Sequence, residues 1–181
     1  MIPRHELPRL ALSVRQPWAW AIIHAGKDCE NRGPMMLRHL PKPIERPIAI
    51  HAAKGLAKYE YESASEFMAK IGVVCPPPAD LLRGGIIGAV TVTRVTKPSA
   101  PPLSRWFCGP RALMLENPQP CEFIPSVGAL GYFAWEAADA SIVPPPAKWM
   151  LPEPIDEARV TARGTSPQLD LIEMVRMSQQ P

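Results

Sequence analysis

No run of about 18 apolar residues occurs anywhere in the chain, which excludes a membrane-spanning helix. The stretch Met1–Glu6 has no apolar core of the kind a signal peptide needs, so a cytoplasmic location is expected. Cysteine is sparse and dispersed, at positions 29, 75, 108 and 121, with no C-x-x-C pair. Zinc sites usually bring their ligands in close pairs, and disulfide frameworks belong to secreted chains; four reduced thiols and no metal are therefore expected. The sequence also lacks a P-loop, a G-x-G-x-x-G, an H-E-x-x-H and a G-x-S-x-G, and Arg83-Gly84-Gly85 is too short to cradle a phosphate. No cofactor is implied.

What is abundant is proline: 24 in 181 residues. Proline cannot donate to a helix or a central strand, so its clusters at 41–47, 76–78, 98–102, 144–146 and 152–154 cut the chain into short elements. Between them, Leu10–Val14 reads as a strand and Pro17 starts a helix through His24 that ends at Gly26. Residues 28–32 and 47–52 read as strands, and 55–71 as a helix stopped by Gly72. Gly85–Val95 is the clearest strand, rich in β-branched residues, with glycines of the sort that bend a closing barrel. Residues 112–117 and 121–123 read as two strands around Pro118, and 131–135 as the closing one. Residues 1–9 form an N-terminal arm, 10–140 the domain, and 141–181 a Pro-rich linker and tail. In that tail Ser166-Pro167 would cap a short helix bearing Leu169, Ile172, Met174 and Val175, and the whole segment would serve, if anything, as a protein-interaction arm. The expected fold is α+β, a small β-barrel with flanking helices.

The charge is uneven. Residues 1–60 hold ten Lys/Arg against five Asp/Glu, whereas the remainder is slightly acidic, ten against twelve. A basic half suits an anionic partner. Within it, an extended 28–32 segment would place Glu30 and Arg32 on one face, with Lys27 at the corner able to join them. A carboxylate between two cations can hold a phosphate while Glu30 accepts from a base or orients water; the bland alternative is a solvated set of ion pairs.

The ordered set Leu12-Ser13-Val14-Arg15-Gln16-Pro17-Trp18-Ala19, Lys27-x-x-Glu30-x-Arg32, Ile50-His51-Ala52-Ala53-Lys54, Gly85-Ile86-Ile87-Gly88-Ala89-Val90 and Gly131-Tyr132-Phe133 resembles the ASCH domain over residues 10–136. The resemblance implies a PUA-like barrel, RNA-linked roles and a cleft lined by the Lys/Glu/Arg segment. The family pattern would put glycine at Ala25, whereas here Gly26 adjoins the lysine. In amidohydrolases of that family a nucleophilic threonine would fall on Glu30 and another on Asp28; neither carries a hydroxyl here, so a covalent threonine mechanism does not transfer. Lys27 and Glu30 are the catalytic candidates, Glu30 as general base on water beside stabilising cations.

Around them, Gln16 would read a base edge and Trp18 stack on it, while Trp20, about 200° away on the helix, belongs to the core. His51 is either a hydrogen-bonded core histidine or an acid/base group, and Lys54 would strengthen the N-terminus of the helix that follows. Cys29, between Asp28 and Glu30, is a poor nucleophile; Cys108, near Arg105 and Arg111, is an ordinary loop thiol; Glu116-Asn117 is placed for a polar contact. The resulting expectation is an RNA- or nucleotide-binding domain using Gln16, Trp18, Lys27, Glu30, Arg32, His51 and Lys54, with DNA left open beside RNA. The alternative is a hydrolase acting on RNA or a modified nucleoside. Oligomeric state is left open.

Overall fold

The computed structural model describes residues 1–38, 40–99 and 103–152. One compact unit spans Met1–Leu151. Its elements run β1 (Leu10–Val14), α1 (Trp18–His24), β2 (Cys29–Asn31), α2 (Pro34–Arg38), β3 (Arg46–Ala52), α3 (Lys58–Lys70), β4 (Gly85–Thr96), β5 (Ala112–Pro125) and β6 (Tyr132–Ala134). The six strands form one sheet in the order β2-β5-β4-β3-β1-β6. Only β1 and β3 run parallel; every other neighbour is antiparallel.

The sheet is open. β2 and β6 are its two edges and do not pair with each other, so the expected closed barrel is corrected to a mixed α+β fold on an open sheet. The strand expected to close it, β6, has three residues and pairs only with β1. The glycines read as barrel bends have a different local cause. A Cβ at Gly85 would lie 2.6 Å from the Phe123 ring, and one at Gly88 would lie 2.4 Å from the Gln119 carbonyl oxygen and 2.8 Å from Ile23 Cδ1. These positions admit neighbours rather than turn a corner.

β5 also differs from expectation, being one strand of 14 residues rather than two. Asn117 absorbs the interruption by taking a left-handed φ of 53°, which lets Pro118 pass without breaking the ladder; the β4 register shifts there, between Ala89 and Thr91. α3 begins at Lys58, three residues later than expected, with the Glu60 carboxylate accepting the Ala57 N–H at 3.0 Å. The helix expected after Ser166-Pro167 lies outside the described residues.

Strand alternation sorts the core into two faces. Leu12, Val14, Ile48 and Ile50 pack with Ile22 and Ile23 of α1 on one side. Full burial of a side chain such as Ile22 contributes about 1.5–3 kcal/mol. The other side carries small residues, Ala11, Ala49 and Ala89, with Ile86 and Ile124. Ser13 and His51 share the parity of Ala11 and Ala49 and so project from this second, less bulky face. A third cluster, Met68, Trp106, Cys29 and Met114, joins α3 to the β2–β5 end of the sheet.

Candidate functional site

The Lys27 corner is built by the end of α1. The N–H groups of Ala25 and Lys27 both donate to the Ala21 carbonyl at 3.0 Å, with Gly26 between them at a φ of 67°. Glycine is the residue that takes this conformation without a Cβ clash, which explains why it adjoins the lysine rather than standing two before it. The turn sends the Lys27 side chain inward. Its Nζ donates to the Cys29 carbonyl and to Glu30 Oε2 at 3.2 Å, and lies 5.8 Å from the Trp18 ring centroid. Arg32 Nε approaches the other carboxylate oxygen at 3.3 Å without hydrogen-bond alignment, while Arg32 Nη2 donates to the Ser13 carbonyl at 2.7 Å.

The carboxylate thus lies between two cations, but inside the protein. The Lys27 side chain is only 2% exposed and that of Glu30 11%. The three residues form an internal ion network that ties β2 to β1. Gln16 is 2% exposed, and both ends of its amide are engaged, Nε2 donating to the Leu82 carbonyl and Oε1 accepting from Trp20 N–H. Trp18 meets Phe67 edge-on at 5.7 Å and lines a separate groove of about 410 Å³ with Arg15, Tyr59 and Glu60, where Arg15 and Glu60 form an ion pair.

His51 and Lys54 stand elsewhere, with a residue that carried no role in the sequence reading. In the parallel β1–β3 pair, Ser13 is the register partner of His51. Ser13 Oγ lies 3.1 Å from His51 Nδ1, and His51 Nε2 lies 3.0 Å from the Ser126 carbonyl oxygen. A carbonyl only accepts, so Nε2 carries the ring proton and Nδ1 presents its lone pair to the serine hydroxyl. The Phe133 ring meets the imidazole edge-on at 5.8 Å. Burial pulls the His51 pKa below its ordinary value and nearby Lys54 adds to this, against the opposing pull of the Ser126 carbonyl.

The pair opens on a cleft of about 360 Å³ lined by Ser13, His51, Lys54 and the segment Val127–Leu130. Gly128 packs directly on it: a Cβ there would come within 2.5 Å of His51 Cε1 and 2.7 Å of Ser13 Oγ. Lys54 is exposed, forms no ion pair among the described residues, and is the cleft's one charged lining residue. It precedes α3 by four residues and does not extend that helix's N-terminus, whose first turn holds Glu60 instead. The signal that would have found Ser13 is its polarity within the otherwise apolar Leu10–Val14.

A larger cleft of about 600 Å³ lies between Met1–Arg4 and Cys121–Pro125; Arg4 and Glu122 are its charged side chains, and no hydrogen-bonded pair of titratable side chains lines it among the described residues. Among the described residues no group of three His, Cys, Asp or Glu side chains could hold a metal ion, and no helix is long and apolar enough to cross a membrane. Burial raises the Cys29 thiol pKa, outweighing the opposing effect of Lys27.

Fold and site together define an α+β domain on an open mixed sheet, with a serine–histidine pair facing a cleft. No protein-family model matches the chain, and no curated protein matches it either. The resemblance to the ASCH family is therefore corrected: no match supports it, and the sheet is not the closed barrel such a domain requires. The RNA- or nucleotide-binding function and its hydrolase alternative, which depended on that barrel, are withdrawn with it.

Proposed function

We propose that the protein binds a small organic anion with an apolar body in the cleft beside Ser13, His51 and Lys54. The observation that carries this is the make-up of the cleft lining: a hydroxyl, an imidazole and an ammonium with no ion pair among the described residues, together with Val127 and Leu130, 64% and 87% exposed. Large apolar side chains so exposed beside a polar pair suit a ligand that is itself divided between a charged head and an apolar body. Ser13 and His51 are each the penultimate residue of their strand, close to the carboxyl ends of the one parallel pair in the sheet. Four free cysteines agree with a cytoplasmic setting.

Titration calorimetry with a panel of short aliphatic and aromatic carboxylates, phosphate monoesters and nucleoside monophosphates tests the assignment. An apolar carboxylate or phosphate monoester is expected to bind, to weaken by about tenfold in Lys54→Met, and to weaken again in Leu130→Ser. Equal affinity in wild type and Lys54→Met would remove the assignment.

A further inference from the structure

We propose that Ser13 is a nucleophile, with His51 as its general base, and that it accepts an acyl group from small esters entering the cleft. The inference rests on the ligand-binding reading above in requiring that the cleft admit a small molecule. It goes beyond that reading by assigning covalent chemistry to Ser13 and His51.

Geometry carries the proposal. A serine hydroxyl is a weak nucleophile until a neighbouring base takes its proton as the bond forms, and the base must itself be held in one tautomer by a third group. All three parts are present. The Ser13 Oγ to His51 Nδ1 distance of 3.1 Å is within reach for proton transfer. The Ser126 carbonyl, 3.0 Å from Nε2, fixes the tautomer that leaves Nδ1 unprotonated. The edge-on Phe133 ring and the Gly128 backbone hold the imidazole from two further directions. Adjacent register positions on parallel strands keep serine and histidine side by side without relying on a mobile loop.

The pair is also asymmetrically exposed. His51 is 1% exposed, so bulk water does not compete for Nδ1, whereas Ser13 is half-buried and lines the cleft. A Ser–His hydrogen bond serving packing alone would need no opening onto an unpaired ammonium.

The step balances with water as the only co-reactant. Ser13 Oγ bonds to the ester carbonyl carbon while its proton passes to His51 Nδ1. The carbon–oxygen bond to the leaving alcohol then breaks, and His51 returns the proton to that alkoxide. Water attacks the acyl-serine and gives its proton to Nδ1; the carbon–Oγ bond then breaks, His51 returns that proton to Ser13 Oγ, and the carboxylic acid leaves. Lys54 suits a substrate whose acyl portion carries a distal carboxylate.

An uncharged alkyl fluorophosphonate tests the nucleophile independently of Lys54, because Ser13 Oγ would displace fluoride without an anionic handle. Intact-mass and peptide mass spectrometry of the wild-type chain should show one adduct, on Ser13. Labelling should vanish in Ser13→Ala and slow by about 10²- to 10⁴-fold in His51→Gln. Near-ultraviolet circular dichroism checks that each variant keeps its tertiary packing. No adduct on the folded wild type, or an adduct that survives Ser13→Ala, overturns the proposal. Organic anions that bind while no adduct forms would defeat the nucleophile and leave the binding reading standing. A Ser13 adduct that no organic anion protects against would support the nucleophile and defeat the binding reading.

Discussion

Replacing Glu30 by glutamine removes a negative charge from between two positive ones without changing side-chain size. Lys27 Nζ would keep the Cys29 carbonyl but lose the charged carboxylate 3.2 Å away, and Arg32 Nε would face a neutral amide where the carboxylate stood at 3.3 Å. At that separation, with an effective dielectric of about 20, the Lys27–Glu30 attraction is about 5 kcal/mol. Much of it offsets the cost of burying the pair, so the measurable loss is the penalty of leaving a buried cation unpaired, about 3–5 kcal/mol. A domain of this size has about 5–15 kcal/mol in total, so the urea midpoint should fall by about 2 M for an ordinary denaturant slope. Equilibrium urea unfolding followed by circular dichroism reads this directly. The double variant Lys27→Met/Glu30→Gln should recover most of the loss, because no buried charge then lacks its partner. A loss below about 1 kcal/mol for Glu30→Gln would match a solvated surface pair instead and refute the buried-network account.

Four further outcomes follow. Gly128→Ala should cost about 1–3 kcal/mol in thermal unfolding and abolish anion binding, since the new methyl would collide with His51 and Ser13. Asn117→Val should destabilise by about 1–2 kcal/mol, because a β-branched residue resists the left-handed φ, whereas Asn117→Gly should stay within about 0.5 kcal/mol in the same urea assay. Burial pushes the Tyr132 phenol up to about 12, opposed by the nearby arginines, so near-ultraviolet titration should show a late ionisation step that Tyr132→Phe removes. Burial also depresses the His51 imidazole below 6.5, so the unfolded chain takes up a proton first as pH falls. Stability should therefore be complete above 6.5 and decline as pH falls through the folded value, with His24 acting in the same sense; urea midpoints measured down that range should fall less steeply in His51→Gln.

Local signals in the sequence were faithful at α1 and β4 but not at Pro118, where β5 runs on unbroken; non-local ones were not. α1 was legible because Pro17 and Gly26 punctuate it, and β4 because its β-branched run admits little else. Convergence of Lys27, Glu30 and Arg32 was legible from strand parity, since three residues so close in sequence need only one local geometry. Their burial was not, because it depends on how the chain on either side packs around them. Closure failed for the same reason: whether β2 meets β6 depends on hydrogen bonds between segments about a hundred residues apart, on which composition is silent. Ser13 and His51 lie 38 residues apart and become neighbours only through the β1–β3 register. His51 could be singled out by its type alone, whereas the only mark on Ser13 is its polarity in the otherwise apolar Leu10–Val14, which names no partner.

An open sheet leaves two rows of main-chain donors and acceptors that a barrel would have joined, each a template for adding a foreign strand. The strands at the two edges have three residues apiece, and β2 covers only Ala112–Met114 of the 14-residue β5. β2 runs out before the Gly33-Pro34 step, and the chain beyond β6 turns back, so that Ala138 N–H reaches the Pro125 carbonyl. The β6 edge therefore offers a visiting chain little more than one dipeptide step, whereas β5 beyond Met114 has no further strand paired along its outer side among the described residues. Lengthening β6 by continuing its alternation into 135–138 would be the most direct way to make this protein self-associate.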